Sequence, residues 1–132
     1  MKRVLLDTNV LVYDTVEDSP FHERAAEIVD SSEPYVSKLV VHEFVWVMLK
    51  LGLDPELVGA KVKEYLELCN LAEESKKVYL KALRELKARG LSHKRVNDLI
   101  ILFTAKENDL ALATFDERLA KLARSLGVSV VR

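Results

Sequence analysis

Cysteine is nearly absent from this sequence, which has Cys69 as its single thiol in 132 residues. One thiol cannot form an internal disulfide, a zinc ribbon or a Cys-x-x-Cys redox pair, so these three frameworks are excluded. A chain without disulfides fits a reducing compartment, and we expect a cytoplasmic protein.

Long apolar runs are also absent. The longest unbroken run, Phe44 to Leu49, has six residues, whereas a helix that spans a bilayer needs about 20. The first residues have the charges of a signal peptide, but Asp7 interrupts their apolar stretch before it reaches the necessary length. We therefore expect neither a membrane span nor a signal peptide.

Glycine is scarce, with four residues at positions 52, 59, 90 and 127. A dinucleotide-binding or Walker loop needs closely spaced glycines, so the sequence has no loop of either kind. A Gly-x-Ser-x-Gly elbow is missing as well, which removes the nucleophile of an α/β-hydrolase. His42 and Glu43 begin a zinc-protease pattern, but Trp46 stands where its second histidine is needed.

Neither sign of charge dominates. There are 20 lysines and arginines against 21 acidic residues, and 49% of the residues are hydrophobic. This balance excludes a disordered chain and a strongly basic nucleic-acid coat, so a nucleic acid would have to bind a local patch. The length predicts one domain over residues 1–132 that buries roughly two-thirds of its surface without disulfides or a structural metal.

Short apolar runs alternate with helical patterns along the chain. Four runs predict buried strands at 4–6, 35–36, 110–114 and 128–131. Helices are predicted near 20–30, 38–51, 55–69, 74–89, 95–108 and 117–126, and glycines 52, 90 and 127 follow three of them as stop signals. Strands separated by helices indicate a mostly parallel sheet covered on both faces, so we predict an α/β three-layer fold.

Glu43 stands in an apolar helix pattern. Its helical neighbours three and four positions away cannot pair with a carboxylate, because all are apolar: Leu39, Val40, Trp46 and Val47. An unpaired buried acid is costly and tends to be neutral, paired in space or bound to a metal. The alternative is a glutamate that faces solvent at the edge of the helix.

Three aspartates follow strands or begin a helix. Asp7 and Asp116 each follow a predicted strand, where open α/β sheets bind ligands, and each also suits a helix N-cap. Asp98 begins a helix, and its alternative role is an ion pair with Lys94 or Arg95, four and three positions earlier. Each aspartate taken alone is therefore ambiguous.

Taken together, the four acids project toward one edge of the predicted sheet. Four carboxylates in one cleft repel one another unless cations neutralise them. Oxygen ligands of this kind select Mg²⁺ or Mn²⁺ over zinc. The pattern therefore favours a cation site built by Asp7, Glu43, Asp98 and Asp116.

Four motifs that contain these acids also carry a family resemblance. In chain order they are Leu6-Asp7-Thr8-Asn9-Val10-Leu11, Val41-His42-Glu43-Phe44, Asp98-Leu99-Ile100-Ile101-Leu102-Phe103-Thr104-Ala105 and Thr114-Phe115-Asp116. Together they resemble the PIN domain (PilT N-terminus) ribonucleases over essentially the whole chain, and most closely the single-domain VapC-type toxins. The helix after Asp98 departs from the family pattern, because Ile100, Ile101 and Phe103 stand where alanines are frequent.

The resemblance implies a central parallel sheet of four or five strands and metal-dependent hydrolysis of RNA that leaves a 5′-phosphate. It implies that the four acids bind one or two Mg²⁺ or Mn²⁺ ions and that three neighbours orient them: Thr114, Thr8 and Asn9. Three basic residues are candidates for holding the RNA backbone, with an ordinary solvated charge as the alternative: Lys38, Lys94 and Arg95.

A VapC-type protein is expected to form a homodimer, to bind an antitoxin segment and to act as the toxin of a type II toxin-antitoxin pair. An RNA-processing nuclease without a toxin role and a PIN-like module that only binds partners are open alternatives. A haloacid-dehalogenase-like phosphatase also begins with an aspartate after its first strand, but it needs an acid where Asn9 stands.

The helix pattern at 39–49 is more apolar than one sheet face requires, since nine of its eleven residues are apolar. Two interpretations follow, namely a deeply buried core helix or a helix with a second contact surface. The second interpretation predicts self-association and a partner groove around Phe44 to Met48.

Overall fold

The computed structural model describes residues 1–132, which form five strands and seven α-helices. The strands are β1 (Arg3–Leu6), β2 (Glu33–Val36), β3 (Asn70–Leu71), β4 (Ala111–Ala113) and β5 (Val130–Val131). The helices are α1 (Thr8–Thr15), α2 (His22–Ser31), α3 (Lys38–Lys50), α4 (Pro55–Leu68), α5 (Lys76–Ala88), α6 (Val96–Glu107) and α7 (Glu117–Ser125). A short 3₁₀ turn, His93–Arg95, precedes α6.

The five strands form one parallel sheet in the order β3-β2-β1-β4-β5. The chain moves outward from β1 through β2 to β3, then returns to β4 on the other side of β1 and continues to β5. Right-handed crossovers in these two directions place helices on opposite faces of the sheet. The predicted α/β fold, with a parallel sheet of four or five strands covered on both faces, is confirmed.

Two elements are not predicted by the sequence patterns. Strand β3 has only two residues, both exposed, so it lacks the apolar run that marks a buried strand. Helix α1 begins directly after β1 and buries only Val10 and Leu11, so it has no extended apolar stripe. Both elements depend on neighbouring structure more than on their own pattern.

The core lies around β1 and α6. Strand β1 is central in the sheet, and Val4, Leu5 and Leu6 are fully buried. Helix α6 is buried without interruption from Leu99 to Ala105 and packs against both α5 and β4. The large side chains that depart from the family pattern in this helix therefore fill core space.

Helix ends agree with the signals in the sequence. The three glycines predicted as stop signals follow α3, α5 and α7 with φ values of 89°, 61° and 79°, in the left-handed region that favours glycine. At the start of α3, the hydroxyl of Ser37 accepts a hydrogen bond from the backbone N–H of Val40 at 3.2 Å. This cap sets the helical phase that places Glu43.

Helix α3 has one buried stripe and one exposed apolar side. Val40, Phe44 and Met48 are buried in the core, whereas Trp46 and Leu49 are exposed. The helix is therefore not deeply buried on all sides. Phe44 and Met48 themselves face inward, and the self-association and partner groove predicted around them stay predictions. No helix, α3 included, combines the length and apolar composition that crossing a membrane demands.

Candidate active site

The four predicted acids line one pocket of about 670 Å³. They come from four elements: Asp7 follows β1, Glu43 lies in α3, Asp98 lies in the first turn of α6, and Asp116 precedes α7. The pocket lies at the carboxyl ends of β1 and β4, the edge at which open α/β sheets bind ligands. The structure thus brings together all four residues, and their role as ligands stays a prediction.

Asp7 is held at this edge by the pairing of β1 with β4. The register pairs Leu6 with Ala113, and the backbone N–H of Asp7 continues it by donating to the Ala113 carbonyl oxygen at 2.9 Å. Thr114, the residue that follows β4, therefore lies beside the Asp7 carboxylate. Its hydroxyl donates to Asp7 Oδ2 at 2.7 Å, and the Thr8 N–H donates to Oδ1 at 2.8 Å.

The Asp7 carboxyl is only 6% exposed. Its removal from water raises its pKa to about 7, and the charges of Asp98 and Glu43 act in the same direction. The hydrogen bonds from Thr114 and Thr8 oppose this rise. A carboxyl in this state binds a proton at mildly acidic pH, and a cation that binds there has to displace this proton.

Thr114 links three neighbours through one hydroxyl. It donates to Asp7, and it accepts from the backbone N–H of Asp116 at 3.0 Å and from Asn9 Nδ2 at 3.4 Å. A hydroxyl has one donor and two acceptor positions, so every position is used. Asn9 completes the link, because its Oδ1 accepts from the Phe115 N–H at 3.2 Å.

Glu43 is held by side chains from two other helices. The Thr8 hydroxyl donates to Glu43 Oε1 at 2.6 Å, and Asn97 Nδ2 donates to Oε2 at 2.9 Å. The solvent-facing alternative for this glutamate is therefore wrong. Asn97 is a residue that the sequence interpretation missed, because its contact with Glu43 joins segments 54 residues apart and has no local signal in the sequence.

Asp98 pairs with Arg95, as its alternative interpretation proposed. Arg95 Nε lies 3.0 Å from Asp98 Oδ2, and the arginine side chain is only 13% exposed. Burial nonetheless raises the pKa of Asp98 above its ordinary value, helped by the charges of Asp116 and Glu43 and opposed by Arg95. Arg95 Nη2 is buried without a hydrogen-bond partner. Arg95 does not line the pocket itself, so its link to the site is its contact with Asp98.

The other two basic candidates lie outside the pocket. Lys38 is exposed at the start of α3 and borders a different pocket, which Glu73, Glu74 and Tyr79 also line. Lys94 is exposed on the 3₁₀ turn and does not line the pocket of the four acids. Proximity in sequence to the acids therefore did not predict proximity to the pocket for either lysine.

Asp116 acts as the N-cap of α7, its alternative interpretation. Its Oδ1 accepts from the backbone N–H groups of Arg118 at 2.9 Å and Leu119 at 3.2 Å. The cap uses only one carboxylate oxygen, and the Arg95 pair likewise uses only one oxygen of Asp98. A structural role and a place in the pocket therefore coexist in both aspartates.

The residues fit a hard divalent cation in number and in kind. All four are oxygen donors, the type that Mg²⁺ and Mn²⁺ prefer. If every group is ionised, the four acids bring a charge of −4 to the pocket, and Arg95, paired with Asp98 outside the lining, offsets one of these charges. No three acidic, histidine or cysteine side chains stand in an arrangement that could hold a metal ion as they are placed, so binding requires these carboxylates to turn toward one another.

The comparisons with known proteins agree with this geometry. The PIN domain model matches residues 4–125. VapBC2 from Rickettsia felis, bound to a DNA fragment from its promoter, has a similar fold with a TM-score of 0.72 and 21% identity, over 97% of this chain and 96% of that chain. VapC20 of Mycobacterium tuberculosis, a Sarcin-Ricin loop cleaving toxin, gives a TM-score of 0.79 and 14% identity over 98% of each chain.

A third similar structure is PAE2754 from Pyrobaculum aerophilum, with a TM-score of 0.64 and 21% identity over 98% of this chain and 84% of that chain. No curated protein matches the sequence. The family match excludes the haloacid-dehalogenase-like alternative and confirms the resemblance seen in the four motifs. With a match over nearly its whole length, this chain belongs to the PIN domain family.

Proposed function

We propose that this protein is a divalent-metal-dependent ribonuclease, with residues 1–132 as one nuclease domain. The observation that carries the proposal is the meeting of four carboxylates from four separate elements in one pocket of a PIN domain. A merely structural role for each acid explains its own hydrogen bonds. It gives no reason for mutually repelling groups to share a pocket.

The proposed ligands are Asp7, Glu43, Asp98 and Asp116, which would hold one or two Mg²⁺ or Mn²⁺ ions. When bound, such an ion supplies a water of lowered pKa and neutralises charge on the phosphate that is attacked. Hydrolysis with this geometry leaves a 5′-phosphate on the product.

The surrounding side chains position these ligands. Thr114 connects Asp7 with the backbone of Asp116, so one hydroxyl aligns acids from two strand ends. Thr8 and Asn97 hold the two oxygens of Glu43. In each case the neighbour orients a carboxylate whose remaining lone pairs are available to a cation.

Arg95 is not proposed to hold the RNA backbone, although the sequence made it a candidate for that role. It is paired with Asp98 and largely buried, so it neutralises this carboxylate in the metal-free protein. The other oxygen of Asp98 would be available to hold a cation, and the positive charge of Arg95 would oppose the binding of that cation by electrostatic repulsion.

The role of a toxin in a toxin-antitoxin pair belongs to the same proposal. Its support is the fold shared with VapBC2 from Rickettsia felis and with the VapC20 toxin. Exposed apolar side chains on adjacent helices favour protein partners, including an antitoxin segment and a second copy: Leu49 on α3, and Leu57, Leu66 and Leu68 on α4. A cytoplasmic location completes the proposal, in keeping with the one buried cysteine.

Cleavage of a mixed pool of RNA tests the activity. The expected result is cleavage with Mg²⁺ or Mn²⁺, none in excess chelator, and fragments whose 5′ ends accept ligation as phosphates. Asp7→Asn and Asp98→Asn should abolish cleavage while circular dichroism shows an intact fold. Asp30→Asn, at an exposed acid outside the pocket, is the matched control. Undiminished cleavage by both site variants contradicts the proposal.

A growth assay tests the toxin role separately. Expression of the wild type in a bacterial host should arrest growth, and co-expression of the protein encoded beside it should restore growth. An active nuclease that does not arrest growth would favour the RNA-processing alternative.

A further inference from the structure

Trp46 is the only tryptophan of the chain, and it is 57% exposed. It lies on α3, three residues after Glu43, and lines the same pocket as the four acids. An indole ring gains more from burial than most side chains, so its exposure on the wall of a charged pocket needs a reason. The pocket itself points to a ligand that has an aromatic face.

A cation accompanies this ring. Lys50 Nζ lies 4.9 Å from the centroid of the Trp46 ring, on the next turn of α3. A nucleotide carries the two groups that such a pair recognises, because its base has a π face and its phosphate is negative. An acidic peptide fits less well, since it has negative groups but no planar base that could stack on the ring of Trp46.

A second aromatic side chain borders the pocket from another element. Tyr13 of α1 lines it, and its ring packs against Phe21 at 5.0 Å and Phe115 at 5.5 Å between centroids. Phe115 directly precedes Asp116 in sequence, so this aromatic cluster is tied to the acidic site. The pocket therefore has aromatic side chains from both α1 and α3.

Stacking on an aromatic side chain of the pocket requires an unpaired base. In a double helix the bases are stacked on one another and paired, so their faces are not free to contact a side chain. Unpaired nucleotides can turn their bases onto aromatic rings, and this contact tolerates any base because every base has a π face. The pocket volume of about 670 Å³ is within the range of sites that enclose a small ligand.

We propose that Trp46 stacks on an unpaired nucleobase next to the phosphate that is cleaved, while Lys50 contacts a phosphate of the same strand. The contact places no strong requirement on the identity of the stacked base, because every base has a π face. This inference rests on the proposed ribonuclease function and adds a base-stacking residue to its site.

The single tryptophan permits a direct test. The full-length Asp98→Asn variant, which is expected not to cleave, is titrated in excess Mg²⁺ with a single-stranded RNA hexamer, with the same hexamer in a duplex, and with a hexamer of abasic nucleotides. Binding is followed by the anisotropy of a label on the RNA, and stacking by the quenching of Trp46 fluorescence. We expect quenching by the single strand, and little or none by the duplex or the abasic strand.

Variants give a second, independent readout. Trp46→Leu should weaken binding of the single strand roughly ten-fold, and Trp46→Phe should retain most of the affinity. Tyr79→Leu changes an exposed aromatic residue of α5 outside this pocket and serves as the matched control. Because Trp46 is exposed, its substitution should leave the protein folded, and circular dichroism checks that the variants are folded.

The outcomes separate this inference from the proposed function. Equal quenching by abasic RNA, unchanged binding by Trp46→Leu, or fluorescence that follows protein concentration without RNA, as burial against a second copy would cause, overturns the stacking role. If wild-type cleavage still depends on Asp98 in that case, the ribonuclease proposal stands. Absence of both RNA binding and RNA cleavage overturns the two together.

Discussion

The hydroxyl of Thr114 donates a 2.7 Å hydrogen bond to Oδ2 of Asp7 and joins the ends of β4 and β1. Both side chains are buried, so water does not readily take the place of a lost partner, and loss of this hydrogen bond is costly. The same hydroxyl accepts from the backbone of Asp116. One oxygen atom thereby aligns two of the four acids, and it provides the first test.

Thr114→Val keeps the shape of the side chain and removes this hydroxyl. We expect the free energy of unfolding in chelator to fall by about 1 to 3 kcal/mol, because a buried carboxylate and a backbone N–H lose their partner. The pKa of Asp7 should rise further, since the Thr114 hydrogen bond lowers it. Urea denaturation measures the first effect, and Thr114→Ser is the control that retains the hydroxyl. Equal stability of the valine and serine variants would contradict the linking role.

The raised pKa of Asp7 predicts an unusual dependence of stability on pH. The folded state holds this proton up to about pH 7, whereas an unfolded aspartate releases it near its ordinary value of 3.8. The folded state therefore binds more protons between these values, and stability falls as pH rises through this window. Asp98, whose pKa is also raised, contributes with the same sign.

Urea denaturation in chelator at several pH values measures this dependence. The slope contributed by one such group is at most about 1.4 kcal/mol per pH unit, and Asp7→Asn should remove its part. With Mn²⁺ present, the stabilisation by the metal should instead grow with pH, because the ligands must be deprotonated. A metal-free protein that becomes more stable from pH 4 to pH 7, with the same slope in Asp7→Asn, would refute the assignment.

Asp116 offers a clean test of repulsion among the acids. Asparagine is as good an N-cap as aspartate, so Asp116→Asn keeps the start of α7 and removes one negative charge. We expect unchanged or higher stability in chelator and a smaller stabilisation by Mn²⁺. For the wild type, 10 mM metal at a dissociation constant near 1 mM gives about 1.4 kcal/mol, or a rise in Tm of roughly 3 to 6 °C.

Calorimetry of both proteins with chelator and with Mn²⁺ decides this prediction. Asp98→Asn is less suitable than the sequence suggests, because it would also leave Arg95 without its partner. If Mn²⁺ does not change the Tm of the wild type and Asp116→Asn has a lower Tm in chelator, the four acids act separately as caps and ion-pair partners.

Arg95→Gln tests whether the positive charge of Arg95 opposes the binding of the metal. In chelator at pH 8 we expect a loss of about 1.5 to 3 kcal/mol, since a charged hydrogen bond in a largely buried place is removed. The shift in Tm caused by Mn²⁺ should become larger, because the variant removes a positive charge next to a proposed metal ligand. Arg89→Gln, in an exposed pair with Glu85, is the matched control and should change stability by less than about 1 kcal/mol. A smaller Mn²⁺ shift in Arg95→Gln would show that Arg95 supports the metal site instead.

The sequence predicted the parts of this molecule that depend on local signals. Glycines in the left-handed region mark three helix ends, and alternating strands and helices give the parallel sheet. The four acids were identifiable because a charged residue in or beside an apolar strand or helix is costly to bury unless it is paired or binds a ligand. Their meeting in one pocket follows from the topology of parallel strands.

Contacts between distant segments were not predictable in this way. Asn97 reaches Glu43 across 54 residues, and nothing in the neighbourhood of either residue indicates the other. Lys38 follows a strand as Asp7 and Asp116 do, yet the phase of α3 turns it to another pocket. Side-chain direction depends on packing between elements, and a residue's place in a motif does not determine it.

The most direct test of the central claim measures RNA cleavage and bound Mn²⁺ in one titration. A labelled single-stranded RNA is mixed with the metal-free protein, Mn²⁺ is added in steps, and both the cleavage rate and the free Mn²⁺ concentration are recorded. The four-carboxylate site predicts that rate and bound metal rise and saturate together and that Asp98→Asn loses both. Cleavage at the wild-type rate in excess chelator, or by Asp98→Asn, would contradict the account.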